Sequence, residues 1–351
     1  MTCDGPFPCI KSRSRIVLGQ IEEGAEVRIL VVGGAGYIGS HTARVLRRAG
    51  LEVLIYDNLS TGFEFLAKGF EMIVGDVHDS KKLLEALKRS DAVMHFAANH
   101  YVGESMANPR KYFRNNVEGG ISLLNAALDA GTKYVIFSST CSVYGSPEKM
   151  PITEEYPRLP VNPYGISKVF FEQALESYDF AYGLKYASLR YFNACGADEG
   201  GEIGECHEPE PHLIPLALRA AGGFGGELQV YGTDYPTPDG TCIRDYTNVV
   251  DLAEAHVKAL QHLMAGNPSF TVNLGTGEGS SVKQVLSTVE EVTGKKVPHK
   301  IVPRRPGDPP ALVADPTKAR QLLNWKTKRS LRDSVSTAWK WMQKQQTLAG
   351  V

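Results

Sequence analysis

Short apolar runs alternate with amphipathic stretches from Val27 to about residue 192. The apolar runs predict strands, and they are RILVV (28–32), EVLIY (52–56), EMIV (71–74), AVMHF (92–96), YVIF (134–137) and YASLRYF (186–192). The stretches between them with apolar residues at helical spacing include 38–50, 80–90 and 119–131. Strands that alternate with helices are typical of βαβ units, whose parallel sheet is covered on both faces. We therefore predict an α/β protein built on a doubly wound parallel sheet of the Rossmann type.

The rhythm changes after about residue 196, where Gly- and Pro-rich loops (196–211 and 232–241) separate shorter elements. Long irregular loops in a compact protein are usually functional or mobile. We predict a Rossmann domain over 27–196 and a smaller, mixed α/β substrate-binding region over 197–346. The two regions are expected to interleave in part, because the helical pattern of NVVDLAEAHVKAL can return to the first sheet. Residues 1–26 lack periodic apolar positions and predict a disordered tail or a segment read from an upstream start.

Composition narrows the class of ligand. The 351 residues carry 38 basic and 39 acidic side chains, so the net charge of −1 offers no basic surface for nucleic acid or for an anionic membrane. No apolar run approaches the length of a membrane span or of a signal-peptide core. The six cysteines show no CxxC pair, which predicts reduced thiols and a cytoplasmic location. A small-molecule partner is expected, with no nucleic acid and no membrane.

The segment ECHEPEPH (205–212) gathers four residues of types that bind metals, namely Cys206, His207, Glu208 and His212. Their spacing differs from that of recognisable zinc sites, and prolines interrupt the segment. The sequence therefore predicts that no metal is bound here.

A glycine-rich turn lies between the first predicted strand and the first helix. Gly33, Gly36 and Gly39 allow a tight turn, close approach of the backbone to a pyrophosphate and close packing of helix on sheet. Asp57 ends the second strand, 18 residues after Gly39, where a carboxylate can hydrogen-bond the ribose hydroxyls of an adenosine. Since DNLSTG (57–62) contains no arginine for a 2′-phosphate, NAD is favoured over NADP.

A second motif, NPYGISK, predicts the start of a helix. Asn162 suits the N-cap and Pro163 the first helical position, so Tyr164 and Lys168 share one face. An ammonium beside a phenol favours the phenolate and lowers the pKa of the tyrosine, as a general base requires. The spacing alone is expected about once by chance in this composition, so its context decides its meaning.

The context of this motif includes three consecutive hydroxyl side chains that precede it in the sequence. Ser138, Ser139 and Thr140 end the strand before this helix, at the edge where doubly wound sheets bind ligands. This arrangement resembles the extended short-chain dehydrogenase/reductase family, and within it most closely the nucleotide-sugar C4-epimerases. The resemblance extends from Val27 to about Trp341. The matching blocks are GGAGYIGSHT, YDNLSTG, HFAA, YVGESM, NNVEG, SSTCSVYG, NPYGISK, LRYFNACGA, GTDYPTPDGTCIRDY, VNLGTGEG and RRPGD.

The resemblance implies NAD-dependent inversion at C4 of a UDP-sugar, with UDP-galactose and UDP-glucose as the expected pair. Tyr164 would remove the proton of the 4-hydroxyl while C4 gives a hydride to bound NAD, and Thr140 would position O4. Lys168 would lower the pKa of Tyr164 and hold the nicotinamide ribose. The 4-keto sugar would turn over and take the hydride back on its other face. Relatives pair as homodimers through the helices around Asn115 and Tyr164.

The resemblance also implies two sets of contact residues. Those expected at the cofactor are Gly33, Gly36, Tyr37, Ile38, Gly39, Asp57, Asn58, Asp76, Val77, Phe96, Ala97, Ala98, Asn115, Ser138, Tyr164, Lys168 and Tyr191. Those expected at the nucleotide sugar are Thr140, Asn193, Leu213, Tyr231, Arg244, Arg305, Asp308 and Leu312. His100 departs from the family pattern, which often has a lysine there.

Several alternatives share the same catalytic groups. UDP-xylose/UDP-arabinose and the UDP-N-acetylhexosamines remain open as substrates. A nucleotide-sugar dehydratase needs further acid–base groups after the active-site threonine, and Cys141 and Ser142 cannot supply them. A non-catalytic NAD-sensing protein on the same fold is the alternative from another class, although the tyrosine and lysine both remain.

Overall fold

The computed structural model describes residues 16–17, 20–21, 27–305 and 308–349. The strands are β1 Ile16–Val17, β2 Gln20–Ile21, β3 Arg28–Val32, β4 Glu52–Asp57, β5 Glu71–Val74, β6 Ala92–His95, β7 Tyr134–Thr140, β8 Lys185–Tyr191, β9 Asn193–Cys195, β10 Leu228–Tyr231, β11 Ile243–Arg244, β12 Tyr246–Asn248, β13 Phe270–Leu274, β14 Ser280–Ser281, β15 His299–Val302 and β16 Ala311–Leu312. The α-helices are α1 Tyr37–Arg48, α2 Ser80–Leu87, α3 Val102–Ala107, α4 Pro109–Tyr112, α5 Gly119–Ala130, α6 Pro163–Tyr182, α7 Leu213–Gly222, α8 Val249–Met264, α9 Val282–Thr293, α10 Thr317–Leu323 and α11 Leu331–Ala349. Apart from the antiparallel pair β1 and β2, the tail predicted for residues 1–26 lies outside the described residues.

Seven parallel strands form the central sheet, in the order β13-β8-β7-β6-β3-β4-β5. The six apolar runs of the sequence coincide with six of these strands to within three residues at either end. The predicted doubly wound α/β fold is thereby confirmed.

Alternation along β3 explains why both faces of the sheet are covered. Ile29 and Val31 pack in one apolar cluster, which includes Leu252 and Leu260 of α8. The neighbouring residues of the same strand face the other way, into a second cluster formed with α2, α5 and α6. Because successive side chains of a strand point to opposite faces, a continuous apolar run suits a strand that is buried on both sides.

The C-terminal region builds a third cluster from α7, α9 and α11. It also carries short sheets, which pair β9 with β12, β10 with β15, and β11 with both β14 and β16. Helix α8 leaves this region to pack on the first domain, and β13 then adds to the edge of the central sheet. The chain therefore crosses back into the first domain, and the boundaries at 196 and 346 remain predictions.

The strand order reverses at β3. From β3 the chain proceeds through β4 and β5 on one side, and then returns to build β6, β7 and β8 on the other. In open α/β sheets a crevice forms outside the carboxyl ends of the strands at such a point, and ligands bind there. None of the helices in the described ranges is both long enough and apolar enough to cross a membrane.

Candidate active site

A cleft of about 1360 Å³ opens at the carboxyl ends of the central strands and extends to the C-terminal region. Pockets for one small ligand usually hold about 300–1,000 Å³, so this cleft has room for more than one. The predicted residues that line it are Gly33, Gly36, Tyr37, Ile38, Gly39, Asp57, Asn58, Val77, Phe96, Ala97, Ala98, Asn115, Ser138, Thr140, Tyr164, Lys168, Tyr191, Asn193, Leu213, Tyr231, Arg244, Arg305, Asp308 and Leu312.

The glycine turn is too crowded for side chains. Gly33 has a φ of +83°, and a Cβ on it would lie 2.5 Å from the Ala97 nitrogen. A Cβ on Gly39 would lie 2.2 Å from the Gly33 carbonyl oxygen. Helix α1 begins directly after Gly36, and its first turn contains no acidic residue. The N–H groups at this helix end are therefore suited to a phosphate.

Asp57 ends β4 beside the glycine turn and is buried. Its carboxylate accepts hydrogen bonds from the backbone N–H groups of Ala35 at 2.9 Å and Leu59 at 2.8 Å. Burial raises the pKa of Asp57, and these two hydrogen bonds oppose the increase. The carboxylate thus stabilises the glycine turn as well as facing the cleft.

Asp76, predicted as a cofactor contact, is not among the residues that line the cleft. Its carboxylate accepts hydrogen bonds from the Asn58 side chain at 2.8 Å and from the His78 backbone N–H at 2.9 Å. Partial burial opposes ionisation, but these hydrogen bonds hold the pKa of Asp76 below its ordinary value. Asp76 therefore supports Asn58, and its direct contact to the cofactor stays a prediction.

Helix α6 begins as its sequence predicts. The Asn162 side chain accepts a hydrogen bond from the Gly165 N–H at 2.8 Å, and Pro163 occupies the first helical position. Tyr164 and Lys168 consequently both face the cleft, opposite Thr140 at the end of β7.

Lys168 is buried at the base of the cleft. Its Nζ donates a hydrogen bond to the Ser138 carbonyl oxygen at 2.8 Å and lies 4.8 Å from the centre of the Phe137 ring. Burial lowers the pKa of Lys168 to about 7, although the charge of Glu172 opposes the decrease.

Tyr164 behaves differently from the sequence-based expectation. Lys168 Nζ lies 5.8 Å from the centre of its ring. Burial raises the pKa of Tyr164, while a hydrogen bond with Thr140 opposes the increase. The spacing from Lys168 predicted a lowered pKa for Tyr164, whereas the protein alone raises it. The reason is that desolvation of the phenolate outweighs the attraction of the distant ammonium.

Glu172 was not singled out by the sequence. One turn after Lys168 on α6, it accepts hydrogen bonds from Arg190 at 2.8 and 2.6 Å and from the Ser139 hydroxyl at 2.7 Å. Arg190 also donates to the Tyr144 hydroxyl at 2.8 Å. This buried network joins α6 to β7 and β8 one helical turn away from Lys168. The spacing of four residues from Lys168 was the available signal.

Asn116 is a second residue that sequence reasoning missed. It lies in a six-residue π-helical stretch, Phe113–Glu118, beside the predicted Asn115. Its side chain donates to the Asn99 carbonyl oxygen at 2.9 Å and to the Ser167 hydroxyl at 3.0 Å. Stretches of π-helix often occur at functional sites, and this one connects α6 to the loop after β6.

The far end of the cleft collects the residues predicted for the nucleotide sugar. The Arg305 guanidinium lies 4.0 Å from the centre of the Tyr231 ring, and Arg244 forms an ion pair with Asp308. Leu312 lies on β16 and packs against an apolar cluster that includes Cys141. Two cationic side chains and an aromatic face are suited to a diphosphate and a base.

The segment 205–212 forms a cluster of four ionisable side chains, which differs from the set considered in the sequence. The residues brought together are Glu205, His207, Glu210 and His212, whose nitrogen and oxygen atoms lie within 4.8 Å of one another. Burial opposes charge on each. The facing carboxylates nevertheless raise the pKa values of both histidines, and the imidazoles lower those of both glutamates.

His100 contacts this cluster. Its ring is parallel to that of His212 at 6.0 Å and lies 5.1 Å from that of His207. Burial, together with the two neighbouring histidines, lowers the pKa of His100 to about 3. His100 is therefore neutral and lacks the charge of the lysine common in the family.

Comparisons with known proteins agree with this geometry. The model of the NAD dependent epimerase/dehydratase family matches residues 29–275. A UDP-glucose 4-epimerase of Rhizobium meliloti is 48% identical over 315 residues, which are 89% of this chain and 96% of that protein. A UDP-glucose 4-epimerase from Brucella ovis in complex with NAD superposes with a TM-score of 0.88 at 49% identity, covering 89% of this chain and 97% of that one. A UDP-glucose-4-epimerase from Stenotrophomonas maltophila with bound NAD and formylated UDP-arabinopyranose superposes with a TM-score of 0.89 at 39% identity, covering 92% and 100%. The family resemblance of the motif blocks is confirmed, and the chain belongs to the NAD-dependent epimerase/dehydratase family.

Proposed function

We propose that the protein is an NAD-dependent isomerase that inverts C4 of a UDP-sugar, with UDP-galactose and UDP-glucose as its principal pair. The observation that carries the proposal is the convergence of Thr140, Tyr164 and Lys168 with the glycine turn in one cleft. The UDP-glucose 4-epimerases of similar sequence and fold support the same activity.

The cleft fits NAD at its Rossmann end. A Cβ at Gly33 or Gly39 would collide with the backbone of Ala97 or of Gly33, so only glycine permits the tight turn there, and the N-terminal end of α1 offers N–H groups for a pyrophosphate. Asp57 would hold the adenosine ribose through its hydroxyls. Bound NAD would accept the hydride from C4 of the sugar. The protein would orient the sugar and take the proton of its 4-hydroxyl.

Tyr164 is proposed as the base that takes the proton of the sugar 4-hydroxyl. Its hydroxyl requires a lower pKa than burial alone allows. The positive charges of Lys168 and of an oxidised nicotinamide would both act in that direction. Thr140 would hold O4 by a hydrogen bond. Lys168, anchored on the Ser138 carbonyl oxygen, would keep its ammonium against the nicotinamide ribose.

The direct test is to incubate the purified protein with UDP-galactose, without added reductant, and to follow both sugars by NMR. We expect an equilibrium mixture with UDP-glucose and no accumulation of free NADH, because the hydride returns to the same sugar. Release of one NADH per turnover would contradict the proposal. A 4-keto-6-deoxy product would identify a dehydratase, and binding of NAD without turnover would identify a sensor.

Asp57 is expected to set cofactor choice. Asp57→Ala should weaken NAD binding by about 10- to 100-fold, since it removes hydrogen bonds to a charged acceptor, and should relax the bias against NADP. Fluorescence titration with both cofactors measures this. Because Asp57 also holds the glycine turn, Asp57→Asn serves as the control that removes the charge but retains an acceptor. Equal binding of NAD and NADP by the unmodified protein would refute the carboxylate argument.

Leu312 is expected to limit the sugar pocket. It lines the cleft and packs on the cluster that contains Cys141, next to Thr140. The resemblance to the nucleotide-sugar C4-epimerases implies that this position gates the sugar pocket, so that a tyrosine there would leave room only for a 2-hydroxyl, whereas a small residue would admit an N-acetyl group. We predict weak but measurable activity on the UDP-N-acetylhexosamine pair, lower by about 10- to 200-fold, which is the range that a few side-chain carbons discriminate.

Two variants test this limit on both substrate pairs. Leu312→Tyr should abolish activity on the N-acetylated pair and spare UDP-glucose and UDP-galactose, and Leu312→Ala should raise the former. Comparable losses on both pairs with Leu312→Tyr would indicate that Leu312 is only a packing residue. The UDP-xylose/UDP-arabinose pair belongs in the same panel.

We further propose that the chain forms a homodimer through the helices around Asn115 and Tyr164. Phe170 on α6 is 50% exposed, and its ring contacts that of Phe113 edge-on at 6.4 Å. An exposed apolar surface of this kind favours association. Light scattering after size exclusion should give twice the mass of one chain.

The cytoplasmic location is also retained as a proposal, supported by the free thiols of Cys141, Cys195, Cys206 and Cys242.

A further inference from the structure

The ionisable cluster at 205–212 has the donor atoms of a metal site. The Nδ1 atom of His207 lies 3.4 Å from a Glu205 oxygen and 3.5 Å from a Glu210 oxygen. The Nδ1 atom of His212 lies 2.7 and 2.9 Å from oxygens of the same two carboxylates. Four ligands at about 2.0–2.1 Å from a tetrahedral ion are about 3.3–3.4 Å apart. The two His207 distances match that spacing, whereas the two His212 distances are shorter by about half an ångström, so His212 would have to move outward to share an ion.

Three of the four side chains of this cluster are more deeply buried than those of an ordinary ion-pair network. The side chains of Glu205 and Glu210 are 6% and 1% exposed, and that of His207 is 9% exposed. His207 Nδ1 and Glu210 Oε2 are buried and lie 3.5 Å from each other, and neither forms a hydrogen bond with any residue that the structure describes. An unpaired buried donor or acceptor is costly, and each such atom in a folded protein calls for an explanation. Both unpaired atoms face the centre of the cluster.

We propose that Glu205, His207, Glu210 and His212 bind a divalent transition-metal ion. Two imidazole nitrogens and two carboxylate oxygens suit Zn²⁺ or its neighbours, whereas Mg²⁺ and Ca²⁺ prefer oxygen alone. Two neutral histidines, two carboxylates and one divalent ion also sum to zero charge, which suits burial. The site rests on these four side chains and not on the proposed reaction.

The position of the cluster indicates what the ion does. The His207 ring meets the Tyr37 ring edge-on at 6.2 Å, and Tyr37 opens α1 after the glycine turn. The ring of His100 lies parallel to that of His212, with 6.0 Å between the ring centres. His212 directly precedes α7, whose first residue, Leu213, lines the cleft. The ion therefore stabilises the loop that connects the Rossmann end of the cleft to the C-terminal region.

The test uses the full-length chain without a polyhistidine tag, stripped of metal with dipicolinate and titrated with Zn²⁺ and with Co²⁺. We expect one equivalent of either ion, a rise in melting temperature with Zn²⁺, and the visible absorption of four-coordinate Co²⁺ without sulfur charge transfer. His207→Gln and Glu210→Gln should each weaken binding by about 10-fold or more, since even indirect partners of metal ligands change affinity by about 10–100-fold.

Matched controls come from the same segment. Glu208 is exposed and lies outside the cluster, so Glu208→Gln should bind as the unmodified chain does, and so should Cys206→Ser. The proposal is overturned if the unmodified chain takes up no Zn²⁺ or Co²⁺, in which case the cluster is an ion-pair network. It is also overturned if sulfur charge transfer appears, or if His207→Gln and Glu210→Gln fold and bind metal unchanged. The Co²⁺ spectrum is read on the unmodified chain, so the proposal can still be tested if a variant does not fold.

Discussion

Replacing Tyr164 with phenylalanine is expected to lower kcat on UDP-galactose by at least about 10² while binding of UDP-sugar stays nearly unchanged. The substitution removes the hydroxyl that would accept the proton and leaves the ring that fills the cleft. Steady-state rates with calorimetry of UDP binding measure the two effects separately. A large fall in kcat with little change in affinity is the signature of a group that acts in the transition state.

Tyr182 provides the matched control for this substitution. It lies on the same helix, α6, and is 58% exposed, far from the cleft. Tyr182→Phe should therefore leave kcat within about twofold, because it removes only a solvated hydroxyl. If Tyr164→Phe also retained near-normal turnover, another group would have to be the base, and Thr140 would be the nearest candidate.

The largest expected effect on stability comes from Glu172. Its carboxylate, 1% exposed, pairs with the Arg190 guanidinium, 5% exposed, one turn along α6 from Lys168. Removing one partner of a buried ion pair leaves an uncompensated charge and typically costs about 3–5 kcal/mol. We expect Glu172→Ala to lower the free energy of unfolding by that amount and to lower kcat as well, because Glu172 anchors the helix that carries Lys168.

Glu176 is the control, one turn further along α6. It pairs with Arg158 at 2.8 Å, but its side chain is 45% exposed. Exposed ion pairs contribute about 0–1 kcal/mol, so Glu176→Ala should change stability little. Urea denaturation of both variants in parallel gives the comparison. If Glu172→Ala lowered the free energy of unfolding as little as Glu176→Ala does, Arg190 would have found another partner for its charge.

The start of α6 illustrates why much of this molecule was readable from the sequence. An asparagine that caps the helix and a proline at its first position act within four residues, so their effect can be read from the sequence around them. The glycine turn is similar in part. A Cβ on Gly39 would collide with the Gly33 carbonyl oxygen only six residues earlier, and Gly33 has a positive φ, although the crowding around Gly33 comes from the distant Ala97. The parallel sheet followed from apolar runs, since strands buried on both faces need them throughout. These local signals determined the fold class and the residues of the Rossmann end of the cleft.

Other features depend on contacts between distant parts of the chain. Whether Asp76 faces a ligand or supports Asn58 depends on the packing of the loop after β5. The pKa of Tyr164 depends on how deeply β7, α6 and their neighbours bury it, and burial is not visible in the spacing of two residues. In the segment 205–212 the sequence pointed to Cys206 and Glu208, whereas the fold turned Glu205 and Glu210 inward. An irregular loop has no period from which side-chain directions follow, so only the surrounding elements decide which of its residues meet.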